Sequence, residues 1–188
     1  MTVNGSGYLF VYLGTSKSGR KIIAGNAAEK FGLNKIVKYA SRDRKAGDED
    51  GSTQHFMSKE EFQDAQAAGK FIAVTKNDDG DLFGVTREQI ENAIADGQSA
   101  YLTIPNPMDD LLETFNGRVI RIFTYTTRED FIRLLKDAGE TEEKIAKKLE
   151  FYDRKLELLP TCDHAFQNDN LDETLVASNA AVGGYVAR

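Results

Sequence analysis

With 188 residues, of which 40% are hydrophobic and 29% charged, the chain is long enough to bury one sizeable core, so one domain is expected. Its net charge of −6 argues against nucleic acid as a partner and favours a small molecule. No apolar run reaches the roughly 18 residues that cross a bilayer, and residues 1–5 lack the features of a signal peptide. We therefore expect a cytoplasmic protein without membrane contact. A single cysteine, Cys162, excludes an internal disulfide and a cysteine-based metal site.

The first elements predicted are a strand, a glycine loop and a helix. After a loose lead over residues 1–7, the continuous apolar run at residues 8–13 predicts a buried central strand. Glycines five positions apart follow at Gly14 and Gly19, and apolar residues then recur at helical spacing as far as the stop signal at Gly32. This order is typical of a phosphate-binding loop, although an ordinary turn between strand and helix has the same spacing.

The middle of the chain predicts a smaller mixed unit. A short strand at 36–40 leads into a loop with the basic cluster Arg42, Arg44 and Lys45, which is either solvated or built to hold an anion. Capping boxes then predict two helices, one beginning at Ser58 and the other at Thr86. Between those helices the sequence predicts a strand at 71–75 and a hairpin leading into 82–85.

The second half of the chain alternates strands with helices. Strands are predicted at 100–104, 119–125 and 164–167. Helices are predicted at 108–115, at 127–139, at 141–159 and from 173 onward, the last one fraying towards Gly183 and Gly184. Alternation of this kind predicts an α/β fold with a parallel sheet.

Taken together, these motifs resemble the guanylate kinase family of nucleoside monophosphate kinases over essentially the whole chain. Residues 14–21 lie where that family has its phosphate-binding loop, and residues 42–51 follow the spacing of its acceptor loop, Thr-Thr-Arg-x-x-Arg-x-Gly-Glu-x-x-Gly. Residues 141–149 look like the family's lid, and residues 168–172 like its Val-Asn-Asp-Asp-Leu-Asp turn near the adenine site. No single motif is specific, but their shared order is.

The resemblance implies one guanylate-kinase-like domain over residues 1–188. Its fold would be the P-loop NTPase type of α/β fold, a parallel sheet flanked by helices. The core would comprise residues 1–40, 97–125 and 160–188. A small α+β acceptor-binding insertion would occupy residues 41–96, and a helical lid residues 126–159.

The resemblance also implies a set of site residues, with ATP and Mg²⁺ on the donor side and GMP or a related nucleotide on the acceptor side. It makes Arg20, Lys21 and Arg133 catalytic. The other implied residues are Gly14, Thr15, Ser16, Lys17, Ser18 and Gly19 around the donor phosphates; Arg42, Lys45, Asp48, Gln54, Phe83 and Thr103 around the acceptor; Asn168 beside the adenine; and Lys148 in the lid. No protein metal site is implied.

Several of these positions depart from the family pattern. Arg20 keeps the charge of the usual lysine, but Lys21 stands where the family has a Mg²⁺-binding hydroxyl, which an ammonium cannot replace. Ser16, Ser18 or water would have to take over, or Lys21 would do the work of the missing lysine. The family's phosphate-binding tyrosines correspond here to Gln54 and Phe83, and its guanine-reading acids to Ala73 and Thr103. Guanine N–H groups would lose their charged acceptors, which weakens discrimination.

Three functions remain open at this stage. The first is an ATP-dependent phosphotransferase of the guanylate kinase type, with reduced or altered activity. The second is a non-catalytic relative that binds a nucleotide, a phosphorylated ligand or a protein partner. The third is a kinase for a non-guanine phosphorylated metabolite. The altered acceptor positions favour the second and third, whereas the cations retained at Arg20, Arg42 and Arg133 favour the first and third.

Overall fold

The structure is a computed structural model that describes residues 7–186, so all of the predicted loose lead except Gly7 lies outside the described residues. The strands are β1 (Leu9–Gly14), β2 (Asn34–Lys35), β3 (Tyr39–Ala40), β4 (His55–Phe56), β5 (Ala73–Lys76), β6 (Leu82–Val85), β7 (Ala100–Thr103), β8 (Val119–Tyr125) and β9 (His164–Gln167). The helices are α1 (Arg20–Phe31), α2 (Lys59–Ala67), α3 (Arg87–Ala93), α4 (Asp109–Thr114), α5 (Arg128–Asp137), α6 (Glu142–Leu156) and α7 (Leu171–Val186).

A five-stranded sheet in the order β2-β7-β1-β8-β9 forms the centre of the fold, and every neighbouring pair in it is parallel. The prediction of a parallel α/β fold is confirmed. All residues of β1 are buried, because successive side chains pack into hydrophobic clusters on opposite faces of the sheet. Phe10 and Tyr12 contact the side covered by α1 and α7, whereas Leu9, Val11 and Leu13 pack on the other side.

A second, four-stranded sheet has the order β4-β3-β6-β5 and mixed strand directions. The single strand predicted at 36–40 is wrong, because the chain crosses between the two sheets there. The Ile36 N–H still donates to the Tyr101 carbonyl of β7, at 3.0 Å. Two residues later, the Lys38 carbonyl accepts from His55 of β4, also at 3.0 Å. The crossing brings the small sheet beside the edge of the large one.

The predicted capping boxes are present at both α2 and α3. The Ser58 hydroxyl accepts from the Glu61 N–H, and the Glu61 carboxylate accepts from the Ser58 N–H. Thr86 and Gln89 make the same reciprocal pair at the start of α3. The sequence therefore located both helix starts correctly.

Helix α7 does not fray at Gly183 as predicted but continues to Val186. Gly183 faces Phe31 of α1, where an added Cβ would lie 3.4 Å from the ring. Beyond it, the Tyr185 ring packs edge-on against Tyr8 and Phe10 at 5.3 and 5.9 Å between centroids. Packing against α1 and β1 thus overrides the low helix propensity of glycine.

Helices α5 and α6 form a hairpin with a small core of their own, made by Phe131, Leu135, Ile145 and Tyr152. The Phe131 and Tyr152 rings stack 4.9 Å apart, and the Tyr152 hydroxyl donates to the Thr126 carbonyl at 2.7 Å. Helix α6 ends at Leu156, earlier than predicted, and a short 3₁₀ turn over Leu159–Thr161 follows. Between Gly7 and Val186 no helix has the length and apolar character to span a membrane.

Candidate functional site

The loop between β1 and α1 is fastened to the end of β8. The Thr15 N–H donates to the Thr124 carbonyl at 3.1 Å, and the Ser18 and Thr124 hydroxyl oxygens lie 3.0 Å apart. Gly14 has a φ of +152°, and a Cβ there would lie 2.1 Å from the Thr124 carbonyl oxygen, so no larger residue fits. Although the resemblance implied Thr15 and Ser18 around the donor phosphates, the Thr15 N–H faces Thr124, and the Ser18 hydroxyl is buried against Thr124 and therefore a poor candidate for the Mg²⁺ ligand.

The rest of the loop leaves its backbone donors free. The N–H groups of residues 16–21 donate to no other residue in the range 7–186, and α1 begins at Arg20 with no acidic residue in its first turn. Free N–H groups at a helix start attract anions, because they add to the positive end of the helix dipole. The loop therefore has the geometry of a phosphate cradle.

Asn168 holds this loop by a hydrogen bond to its backbone. Its Nδ2 donates to the Ser18 carbonyl at 3.0 Å, and a Cβ on Gly19 would approach Nδ2 to 2.7 Å. Gly19 has a φ of +76°, and Lys17 adopts a left-handed φ of +64° that glycine tolerates better. The structure thus brings the predicted adenine-side residue into contact with the donor loop.

Arg20 is held at the carboxyl ends of two strands. Its Nη1 donates to the Ile104 carbonyl after β7 at 2.7 Å and lies 3.4 Å from the Gly14 carbonyl. Its Nε is buried and has no hydrogen-bond partner within residues 7–186. Burial lowers the pKa of Arg20 to about 10, so the guanidinium stays charged at neutral pH. The loop therefore has a fixed cation at its helix end.

Lys21 lies one position further along; its side chain is largely exposed, and its amine is partly desolvated by its neighbours. Burial is the main cause of its lowered pKa, followed by the charges of Arg20 and Arg42, while Asp48 acts in the opposite direction. Lys21 is thus close enough to Arg20, Arg42 and Asp48 for their charges to act on its amine. That the three cations Arg20, Lys21 and Arg42 share one phosphate site stays a prediction.

In the acceptor loop, Arg42 and Asp48 form an ion pair, with 2.6 Å between Nη1 and Oδ2. The Lys45 N–H also donates to Asp48 Oδ2, at 2.8 Å, while the Lys45 side chain is exposed. Hydrogen bonds from Arg42 and Lys45 lower the pKa of Asp48 to about 2. The Arg42 guanidinium also lies 5.1 Å from the centre of the Phe56 ring. Asp48 and Phe56 therefore set the orientation of Arg42 before any ligand binds.

The remaining acceptor residues line the small sheet and the end of β7. Gln54 is buried with no partner for its Oε1 within the described range, and Phe83 is buried in the main core. Thr103 is half-buried in β7, paired with Tyr12 of β1. Sequence analysis missed Lys38, which is also buried and whose Nζ lies 5.6 Å from the centre of the Phe83 ring. The sequence signal that could have indicated a buried Lys38 is its position inside an otherwise apolar strand pattern.

The two predicted lid cations are paired with acids of the lid itself. Arg133 Nη2 lies 2.5 Å from Asp130 Oδ1, with its side chain 64% exposed, and Lys148 pairs with Glu140. Lys148 lines a cavity beside Ser16 of the phosphate loop, although it is paired with Glu140 there, whereas Arg133 does not line that cavity. A lid contact that the sequence did not predict joins Lys155 of α6 to Asp78 of the β5–β6 hairpin, at 3.0 Å.

A cavity of about 470 Å³ lies between the phosphate loop, the β5–β6 hairpin and the lid. Ser16 contributes from the loop, Asp78 and Asp79 from the hairpin, and Lys144 and Lys147 from α6. The lid side of the cavity carries an excess of cations, with Lys144, Lys147, Lys148 and Lys155 against one acid, Glu140, which suits a polyphosphate lying against the loop.

The residues around the loop offer few ligands for magnesium, the ion that the family resemblance implies. The Ser18 hydroxyl is taken by Thr124, and Lys21 puts an ammonium where a metal-binding hydroxyl was expected. Within residues 7–186, no group of three or more His, Cys, Asp or Glu side chains is placed to hold a metal ion. Of the hydroxyls named from the sequence, the exposed Ser16 at the cavity is the one that fits an oxygen ligand for Mg²⁺, whereas the free N–H groups and Arg20 fit phosphate.

Comparison with known proteins gives a consistent family match. The sequence model of the guanylate kinase family matches residues 4–182. A guanylate kinase of Vibrio vulnificus is 25% identical over 183 residues, covering 95% of this chain and 88% of its own. One from Bartonella quintana is 23% identical over 171 residues, covering 89% of this chain and 77% of its own.

The fold agrees with a solved structure of the same family. The crystal structure of guanylate kinase from Anaplasma phagocytophilum aligns with a TM-score of 0.76 and 19% identity, covering 100% of this chain and 90% of the other. At that identity, the likeness shows the fold alone.

Proposed function

The chain belongs to the guanylate kinase family, and on that premise we propose that it transfers the γ-phosphoryl group of ATP to GMP or a related nucleoside monophosphate, at a reduced rate. The observation that carries the proposal is the phosphate loop, where the N–H groups of residues 16–21 are free and Arg20 is fixed at the start of α1. The charges of Arg20 and of the acceptor-loop residue Arg42 both act on Lys21, which supports a shared site for donor and acceptor phosphates.

The chemistry requires little beyond position and charge. The attacking atom is an oxygen of the acceptor phosphate, which is already nucleophilic, so no general base is needed. The free loop N–H groups would hold the donor phosphates, and Arg20 would stabilise charge on the transferred group. Arg42, oriented by Asp48 and Phe56, would hold the acceptor phosphate.

The other predicted site residues would surround the acceptor and hold the donor loop. Lys45 would add charge at the acceptor phosphate, and Gln54, Phe83 and Thr103 would border the acceptor. Asn168 would hold the loop beside the donor base.

The lid cations would take part only after a rearrangement. For Arg133 and Lys148 to reach phosphate, both would have to leave Asp130 and Glu140. The division into core, acceptor-binding insertion and lid, and a cytoplasmic location, belong to the same proposal.

The reduced rate follows from Lys21. An ammonium at this position repels Mg²⁺ and supplies no oxygen ligand, so the fit of the site to Mg²⁺·ATP is poorer than with a hydroxyl. The proposed mechanism therefore rests on the protein's own cations, and Mg²⁺ would accompany the ATP.

A second candidate is a non-catalytic module that binds a nucleotide or phosphorylated ligand. The observation that favours it is the pairing of Arg133 with Asp130 and of Lys148 with Glu140, which leaves these lid cations neutralised within the lid. Such a module would bind phosphate at Arg42 without transferring it. It would act by binding a protein partner. A kinase for a non-guanine phosphorylated metabolite would use the same cations.

Measuring ADP release with ATP, Mg²⁺ and a panel of nucleoside and sugar monophosphates tests the proposal. We expect slow, acceptor-dependent release by the wild type and faster Mg²⁺-dependent release by Lys21→Ser, which restores a hydroxyl. Lys30→Ser is the matched control, since it removes one charge from the last turn of α1. No release with any acceptor, by either the wild type or Lys21→Ser, would refute phosphotransfer and leave the binding module.

A further inference from the structure

Lys38 is a buried cation for which the mechanism has no use so far. Its residue surface is 8% exposed, and its Nζ lies 5.6 Å from the centre of the Phe83 ring. It donates no hydrogen bond to any residue in the range 7–186. The residue is buried while its Nζ keeps some contact with solvent, so the ammonium is only partly hydrated, and the ring face replaces little of what it has lost. Such a group is expected to have a ligand.

The charges that act most strongly on Lys38 are all positive. Burial lowers the pKa of Lys38 to about 7, and the further causes, in order, are Arg20, Lys21, Lys35 and Arg42. None of these leading causes is a carboxylate. Asp48, the carboxylate that acts on the neighbouring Lys21, is already bonded to Arg42 at 2.6 Å. An anionic or oxygen-rich ligand would relieve this concentration of charge.

The sheet face around Lys38 carries no carboxylate either. Lys38 precedes Ala40 by two residues, so both belong to the face on which Ala40 is paired with Phe83 of β6. Phe83 is paired in turn with Thr75 of β5, and Ala73 of the same strand faces Val85. An amino group on the ring of a bound base would meet no carboxylate among these paired residues, whereas a ring oxygen could accept a hydrogen bond from the Lys38 ammonium.

We propose that Lys38 determines the specificity for the acceptor nucleotide by donating a hydrogen bond to an oxygen on the ring of its base. The preferred acceptor would then carry oxo groups or ionised oxygens, rather than amino groups, on the ring edge that faces Lys38. The inference rests on the proposed function, since it names the class of acceptor for that site. Xanthosine monophosphate is a suitable probe, because it has an oxygen where GMP has an amino group and its ring readily loses a proton.

Isothermal titration of the wild type with xanthosine monophosphate and with GMP tests this inference. We expect xanthosine monophosphate to bind about ten- to a hundredfold more tightly, the range for one charge-assisted hydrogen bond. Lys38→Met should remove the preference by weakening xanthosine monophosphate binding, and Lys38→Arg should retain it. Lys35→Met is the matched control: it removes an exposed cation of the same group, bonded to the Ser52 carbonyl, and should leave the preference unchanged.

Proton uptake provides a second readout that a merely structural lysine would not change. At pH 8, a large share of free Lys38 is neutral, so binding an anionic ring should draw a proton onto its amine. Titrations in buffers of different ionisation enthalpy measure that uptake. Lys21 also has a lowered pKa, but it remains in Lys38→Met, so uptake lost in that variant belongs to Lys38.

The outcomes separate this inference from the proposed function. If the wild type binds GMP as tightly as xanthosine monophosphate, or if Lys38→Met keeps the wild-type preference, the role of Lys38 is refuted while nucleotide binding stands. If the folded wild type binds neither nucleotide, both proposals fail. Thermal unfolding of Lys38→Met checks that the variant folds, and its melting temperature should not fall, because methionine fills a similar volume without a buried charge.

Discussion

Replacing Arg20 by methionine is expected to weaken the fold and the donor site together. The Arg20 Nη1 donates to the carbonyl of Ile104, a fully buried residue, at 2.7 Å, and this charge-assisted bond is worth about 1.5–3 kcal/mol. The contact with the Gly14 carbonyl, at 3.4 Å, is too long to add much. Removing a partly desolvated cation returns some free energy, so we expect a net loss of about 1.5–2 kcal/mol.

Urea unfolding and titration with ATP measure the two effects separately. Arg20→Met should unfold at lower urea and bind ATP at least about tenfold more weakly, because one charged contact to phosphate is lost. Arg20→Lys keeps the positive charge but loses the two-pronged guanidinium. It should therefore retain most of the ATP affinity while losing most of the stability that the bond to Ile104 provides. Arg87→Met is the control: Arg87 makes an exposed pair with Glu91 on α3, worth about 0.2–1 kcal/mol at most, and it should bind ATP normally.

The reasoning about Arg20 would be refuted by either of two results. Unfolding of Arg20→Met at the wild-type urea concentration would mean that the bond to Ile104 contributes nothing. Unchanged ATP affinity in the folded variant would mean that Arg20 does not contact the donor phosphates.

Three smaller changes test other parts of the structure. Lys17→Gly should stabilise the protein by about 0.5 kcal/mol in urea unfolding, because relief of the left-handed φ of +64° slightly exceeds the entropy that glycine loses. Tyr152→Phe should cost about 1 kcal/mol, because the Thr126 carbonyl loses its donor at 2.7 Å while the ring stacking remains. Asp48 has a folded pKa of about 2, below its usual value, so its pair with Arg42 stabilises the fold at higher pH and is lost as the pH falls from about 4 towards 2. The difference in melting temperature between wild type and Asp48→Asn should therefore shrink over that range.

Each of these predictions has a clear opposite. A loss of stability in Lys17→Gly would mean that the lysine side chain stabilises the loop by more than its backbone strain costs. If Tyr152→Phe is as stable as the wild type, the hydrogen bond from Tyr152 to Thr126 does not stabilise the lid. A difference between wild type and Asp48→Asn that stays constant from pH 5 to pH 2 would mean that the carboxylate charge does not stabilise the fold.

Local sequence signals located most of the secondary structure. The apolar run of β1 and the reciprocal caps at Ser58 and Thr86 depend on neighbouring residues alone, so they could be read directly. The crossing at 36–38 could not, because both sheets need extended chain and only the pairing partners distinguish them. The length of α7 also depended on a distant partner, since the helix persists by packing on α1.

The site was predictable in its residue types but not in its pairings. The order of glycines and cations indicated the phosphate loop, and the family resemblance implied one site for Arg20, Lys21 and Arg42, which stays a prediction. The bond between Ser18 and Thr124 joins residues more than a hundred positions apart, so no local pattern contains it. Lys38 was missed because an alternating strand normally points lysine to solvent, and only the second sheet buries it.

The central claim is that this chain moves a phosphoryl group between nucleotides. The most direct measurement follows the labelled γ-phosphoryl of ATP, in the presence of Mg²⁺ and a nucleoside monophosphate, and separates the products by chromatography. We predict that the label moves slowly onto the acceptor to give a nucleoside diphosphate. Label that stays on ATP, or that leaves only as inorganic phosphate whichever acceptor is present, would contradict the claim.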